Sequence, residues 1–144
     1  ALRDATEYDL ESIKDKVTDE NYQKALYVIQ ENDRVIKASK AIENRDLKAL
    51  GSLIYASHDG LQNQYKVSCK ELDFLVEQAK LNSHVLGARM MGGGFGGCTI
   101  NLIAKTETES FKSQVSESYK NKFNLNCSIY SVELSNGTGL IKYN

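Results

Sequence analysis

An α+β domain, with an antiparallel sheet covered on one face by helices, follows from three features of the sequence. Apolar residues recur at helical spacing through the first half. From about Val85 the pattern changes to strand-like runs. Helices come first and antiparallel strands after them, with no repeat, linker or low-complexity segment between. The 144 residues suit one domain spanning 1–144.

Each element has its own signal. Thr6 and Asp9 predict a capping box that opens a short first helix. Thr18 predicts the N-cap of a long second helix carrying Tyr22, Leu26, Ile29 and Ile36 and running to about Asn44. Asp46 predicts the N-cap of a third, with Leu47, Leu50, Ile54 and Leu61 on its apolar face. Ser68 and Glu71 have capping-box spacing, and the helix after them places Leu72, Leu75, Val76 and Ala79 on one stripe. Val85 to Met91 and Cys98 to Ala104 read as strands on either side of a glycine run. Thr106 and Glu109 predict a further capping box and a helix through about Phe123. Ile129, Tyr130, Val132 and Leu134 predict a third strand. Asn136-Gly137 is a hairpin signal, and Leu140 to Tyr143 would return as a fourth strand.

Composition removes several function classes. The net charge is −1 with 26% charged residues, and no basic stripe is present to track a phosphate backbone, so no nucleic-acid partner is expected. The longest apolar stretches, such as Thr99 to Ala104, are too short to cross a bilayer, so no membrane is expected either. The chain opens on Ala-Leu-Arg-Asp without Met or export signal. The expectation is a cytoplasmic protein from which this chain is a part. Three widely spaced cysteines argue against a disulfide framework or a metal site, and Cys69 and Cys98 read as inert core thiols. Two sequons, at Asn126 and Asn136, read as chance.

The informative stretch is Gly87-Ala88-Arg89-Met90-Met91-Gly92-Gly93-Gly94-Phe95-Gly96-Gly97-Cys98. Five of the six residues from 92 to 97 are glycine, which is costly to order and is kept where side chains would intrude. Gly92, Gly94 and Gly97 fit GxGxxG, yet a dinucleotide fingerprint needs a helix directly after it, and Thr99-Ile100-Asn101-Leu102-Ile103 is strand-like. A ligand-free hairpin loop is the alternative. Phe95 amid the glycines argues for an anchored loop.

The segment from Gly87 to Thr99 resembles the third conserved motif of the GHMP kinases in its galactokinase form. Ser57-His58-Asp59-Gly60-Leu61-Gln62-Asn63-Gln64-Tyr65-Lys66-Val67-Ser68-Cys69-Lys70-Glu71-Leu72-Asp73 resembles the galactokinase pattern SHxSLxxxYxVScxElD. Leu2-Arg3-Asp4 fits as well. The resemblance spans nearly the whole chain. It implies the ferredoxin-like C-terminal domain of an enzyme that transfers the γ-phosphoryl of MgATP to galactose. It also implies that the sugar-binding, phosphate-loop and catalytic-base residues belong to an N-terminal half, which is the expected partner. No catalytic or metal-binding residue is expected in this chain. Met91 departs from the family, where Thr or Ser is usual.

The resemblance gives Gly92, Gly93, Gly94, Phe95, Gly96 and Gly97 a positioning role at the nucleotide, with Arg89 either supplying charge there or pairing with a carboxylate. Ser57, His58 and Tyr65 would support the surface facing the cleft. His58 reads as a buried, hydrogen-bonded structural group. Alone, residues 1–144 are expected to lack activity and to self-associate through the apolar face that normally meets the other half. Two further readings stay open: a galactokinase-like sugar sensor without turnover, and a free-standing ferredoxin-like binding module.

Overall fold

A computed structural model describes residues 2–135, 137, 139 and 140. After a short 3-10 turn at Leu2–Asp4 come α1 (Glu7–Glu11), α2 (Asp19–Glu43), α3 (Leu47–Asn63) and α4 (Lys70–Lys80). The strands β1 (Val85–Met91) and β2 (Cys98–Ile103) follow, then α5 (Thr108–Phe123). The class is α+β, with helices laid on a two-stranded antiparallel sheet.

Three N-termini form as their local chemistry predicts. Thr6 and Asp9 close a capping box at α1, Thr18 accepts the N–H of Asn21 at 3.3 Å, and Asp46 accepts that of Ala49 at 2.9 Å. The other two do not. The N-cap of α4 is Cys69, because Ser68 gives its hydroxyl to Asp73 Oδ1 instead, at 2.5 Å. A 3-10 turn over Lys105–Glu107 delays α5 until Thr108, so Thr106 precedes the helix and caps nothing.

The sheet pairs Met91 with Cys98 at its loop end and Val85 with Ile103 at the other, with a bulge between Val85 and Gly87. Helices α3 and α4 lie on β1. One core joins Val76, Ala79, Val85, Ala88, Phe111 and Val115; a second joins Tyr27, Leu61, Leu72 and Met90. The buried side of α3 is set by its place between α2 and β1. It runs through Gly51, Ser57, His58, Gly60 and Leu61, which leaves Leu47 exposed. On α2 the buried residues are Tyr27, Ile29 and Ala41, and Ile36 is exposed.

Glycine makes the α3–β1 contact. A Cβ on Gly51 would sit 2.0 Å from the carbonyl oxygen of Leu86, and one on Gly87 would sit 2.6 Å from that of Gly51. Helix and strand backbones therefore touch, which only residues without side chains permit.

The expected third strand does not form. Residues 129–134 have no regular structure, and Tyr130, Val132 and Leu134 are exposed. An alternating apolar pattern states a preference for burial, but a strand also needs a hydrogen-bonding edge to pair with. The expected hairpin at Asn136-Gly137 and the fourth strand at Leu140 to Tyr143 rest on residues outside those described. Cys98 is exposed rather than in the core, because its end of β2 lies at the rim beside the loop.

Candidate functional site: the glycine loop and its supports

The loop from Gly92 to Gly97 joins β1 to β2. Gly92, Gly94, Gly96 and Gly97 all have positive φ, at 80°, 84°, 137° and 94°. Phe95, with φ 57°, shares the left-handed region, which L-residues enter at a cost of about 1–2 kcal/mol. Its N–H donates to the carbonyl of Val67 at 2.7 Å, and this bond helps to hold the strained residue. The loop is therefore anchored on the α3–α4 connection. The anchor at Phe95 is main chain, and its ring is 76% exposed.

The loop is tight at one point and open elsewhere. A Cβ on Gly94 would lie 2.0 Å from the Val67 carbonyl oxygen. At Gly92, Gly93 and Gly96 a Cβ would meet nothing within 4 Å. Contacts within the described chain explain Gly94, and backbone conformation alone accounts for Gly92 and Gly96. Gly93, with neither positive φ nor a neighbour, has no such reason.

Two polar clusters support the strand that enters the loop. In the first, His58 is 1% exposed, and its Nδ1 accepts the N–H of Met90 at 3.2 Å. That bond makes Nδ1 the unprotonated nitrogen of the neutral ring, so Nε2 carries the proton and faces Asp73 Oδ1 at 3.4 Å. Burial holds the His58 pKa below the ordinary imidazole value; Lys80 and Arg89 act in the same direction, and Asp73 and Asp59 oppose them.

In the second cluster, Glu31 of α2 collects three donors. Ser57 reaches it at 2.5 Å, Arg89 at 3.4 Å, and Arg34 bonds its other oxygen. Arg89 also donates from Nε to the Met90 carbonyl at 2.9 Å. Arg89 is thus held by a carboxylate and by its own strand. Tyr65 packs against Tyr27 with ring centroids 5.3 Å apart and planes tilted by 42°.

Ser57 and Arg89 therefore meet at Glu31, His58 meets Met90 and Asp73, and Tyr65 packs against α2. The links from Glu31 to Ser57 and Arg89, and from the Val67 carbonyl to Phe95, had no sequence-local signal, since those partners lie far along the chain. Asp73 lies inside the second motif, but its geometry relative to His58 depends on how α3 and α4 pack. Among the described residues, no group of three or more His, Cys, Asp or Glu side chains is placed to hold a metal ion. No helix among them is long and apolar enough to cross a membrane.

Known proteins are similar to this chain over most of its length. The galactokinase of Thermotoga petrophila is 37% identical over 137 residues, covering 95% of this chain and 38% of its own length. That of Clostridium beijerinckii is 40% identical over 139 residues, covering 96% of this chain and 36% of its own. The crystal structure of Lactococcus lactis galactokinase complexed with galactose superposes with a TM-score of 0.85 at 34% identity, covering 90% of this chain and 34% of that one. The chain thus spans little more than a third of the length of these relatives. A family model described as GHMP kinases C terminal matches residues 38–121, from the second half of α2 through most of α5, and the chain belongs to that family.

Proposed function

We propose that this chain is the C-terminal part of a galactokinase, which phosphorylates galactose with MgATP to give galactose 1-phosphate. One observation carries the reading. The glycine loop is held at Gly94 and Phe95, yet keeps free space at Gly92, Gly93 and Gly96, in a chain similar to galactokinases over nearly all its length.

Phosphoryl transfer depends mainly on positioning and electrostatic stabilisation. A loop without side chains lets a second backbone, or an anionic oxygen, approach main-chain N–H groups. The space over Gly93 suits such a neighbour. MgATP supplies the transferred γ-phosphoryl group. In this reading Gly92, Gly93, Gly94, Gly96 and Gly97 shape the nucleotide site, and the exposed Phe95 ring packs on the N-terminal half of the longer protein. Arg89, committed to Glu31 and Met90, holds the loop's base. Ser57, His58 and Tyr65 support it from behind. The groups that bind galactose, the metal ion and the reacting hydroxyl belong to the N-terminal half, and the protein works in the cytoplasm.

The test is to express the full-length protein and residues 1–144 separately and to assay both for galactose 1-phosphate with MgATP and galactose. Turnover by the full-length protein and none by the shorter chain is expected. An inactive full-length protein that still binds both ligands would favour the sugar sensor, and turnover by residues 1–144 alone would overturn the division of labour.

A further inference from the structure

The two ends of the glycine loop's support belong to one chain of contacts. Met90, two residues before the loop, donates its N–H to His58 Nδ1 at 3.2 Å. The other nitrogen of the same ring, Nε2, lies 3.4 Å from Asp73 Oδ1. That oxygen also accepts the hydroxyl of Ser68. Ser68 follows Val67, whose carbonyl accepts the N–H of Phe95 in the middle of the loop, at 2.7 Å. The path leaves the sheet at Met90, crosses α3 and α4, and returns to the loop at Phe95.

We propose that His58 is a positioning residue for the glycine loop, acting through Asp73 and Ser68 on the Val67 carbonyl that anchors Phe95. The geometry needs each member. The Val67–Ser68 segment lies between two helices; the Val67 N–H holds one side of it by donating to the Leu61 carbonyl at 3.0 Å, and the bond from Ser68 holds the other, on the side of the carbonyl that faces the loop. Asp73 holds Ser68, and Asp73 lies 3.4 Å from Nε2 of a histidine that cannot rotate, being buried and bonded to the strand. His58 Nε2 is the weakest link, since it approaches Asp73 Oδ1 at 3.4 Å without forming an aligned hydrogen bond, yet Asp73 is the polar group beside it, and a buried polar chain loosens when a member is removed. Together with the reading of the loop as part of a nucleotide site, the inference makes His58 a residue that acts on the nucleotide without touching it.

The decisive readout is the amide of Phe95, which His58 does not contact. Hydrogen exchange in the full-length protein is followed on peptides containing Met90 and Phe95, with steady-state kinetics in MgATP alongside. Ser68→Ala should speed exchange at Phe95 about tenfold, the scale of one lost hydrogen bond, and leave Met90 unchanged. His58→Asn keeps an acceptor for Met90 but gives up the contact with Asp73, so Met90 should stay protected while Phe95 exchanges faster. His58→Leu should release both. The Ser68 variant removes one surface-side hydroxyl, so it keeps the test usable if the leucine variant fails to fold. Unchanged exchange at Phe95 in both Ser68→Ala and His58→Asn would overturn the proposal. Faster exchange with a raised KM for MgATP supports it together with the nucleotide reading. Faster exchange with unaltered kinetics supports it and sinks the nucleotide reading instead.

Discussion

Glycine does two different jobs in this chain, one at Gly51 and Gly87 and the other from Gly92 to Gly97. The first pair lies where α3 crosses β1, and each missing Cβ is answered by an atom of the facing backbone, 2.0 and 2.6 Å from where it would be. In the loop only Gly94 is answered in that way, and Gly92, Gly93 and Gly96 face open space. The first arrangement is complete within the chain. The second leaves room that nothing in the described chain uses. Packing thus explains glycine where two elements of one domain meet, whereas an unfilled glycine without backbone strain points to a neighbour from outside.

The contrast can be broken experimentally, and the largest effect belongs to the packed pair. Gly51→Ala should destabilise the protein by about 3 kcal/mol, the upper end of ordinary overpacking, because its new methyl meets main chain that cannot turn aside. Chemical denaturation measures it, and a loss under about 0.5 kcal/mol would show that α3 and β1 slide apart freely. Next comes Gly94→Val. It combines a contact with the Val67 carbonyl and a positive φ that β-branched residues resist, and it should cut kcat/KM in the full-length protein about a hundredfold by displacing the loop. Near-normal kinetics would remove the positioning argument. Gly93→Ala sharpens the comparison, since its methyl meets nothing in this chain. Stability should stay within about 0.5 kcal/mol while kcat/KM falls about tenfold, the signature of a collision with something outside the domain. If both stay at the parent's values, the open space has no occupant.

The smallest effect concerns the support beneath the loop. His58 keeps a lowered pKa in the fold, chiefly through burial, with Lys80 and Arg89 assisting and Asp73 and Asp59 opposing. In the unfolded chain it takes a proton near the ordinary value of 6.5, while the folded ring resists. Its contribution to stability is therefore present above that pH and is lost as the pH falls from there towards the folded pKa. Denaturation midpoints measured between pH 7.5 and 5 should drop less steeply for His58→Asn than for the parent. Equal slopes would mean that the buried ring is not what titrates.

Much of the fold was legible in the sequence because its signals are local. The Thr6–Asp9 box, the caps at Thr18 and Asp46, and the bounds of β1 each depend on residues a few positions apart. Where a side chain had a second local acceptor, the capping pattern failed: Ser68 has capping-box spacing, but Asp73, five residues on at the start of α4, takes its hydroxyl. The strand expected at Ile129 to Leu134 failed for a related reason, since pairing is decided by a partner and not by alternation. At the site, the glycine run and His58 stood out by composition and motif. Glu31 did not, because a glutamate in a long charged helix looks like any solvated one until Ser57 and Arg89 arrive from elsewhere.

The segment after α5 has a practical meaning. Asn124 turns the chain into the left-handed region, and beyond it Leu125, Tyr130, Val132 and Leu134 lie open to solvent without regular structure. Proteolytic nicking concentrates where backbone is accessible and not tied into regular structure, and this stretch is of that kind. Digestion should therefore begin there. Among the described residues, Glu31, His58 and Val67, which bond the glycine loop and its base, all lie upstream of α5, so a clipped protein should keep that loop intact. Trimming this segment is accordingly a way to obtain a cleaner sample for crystallisation without disturbing the glycine loop.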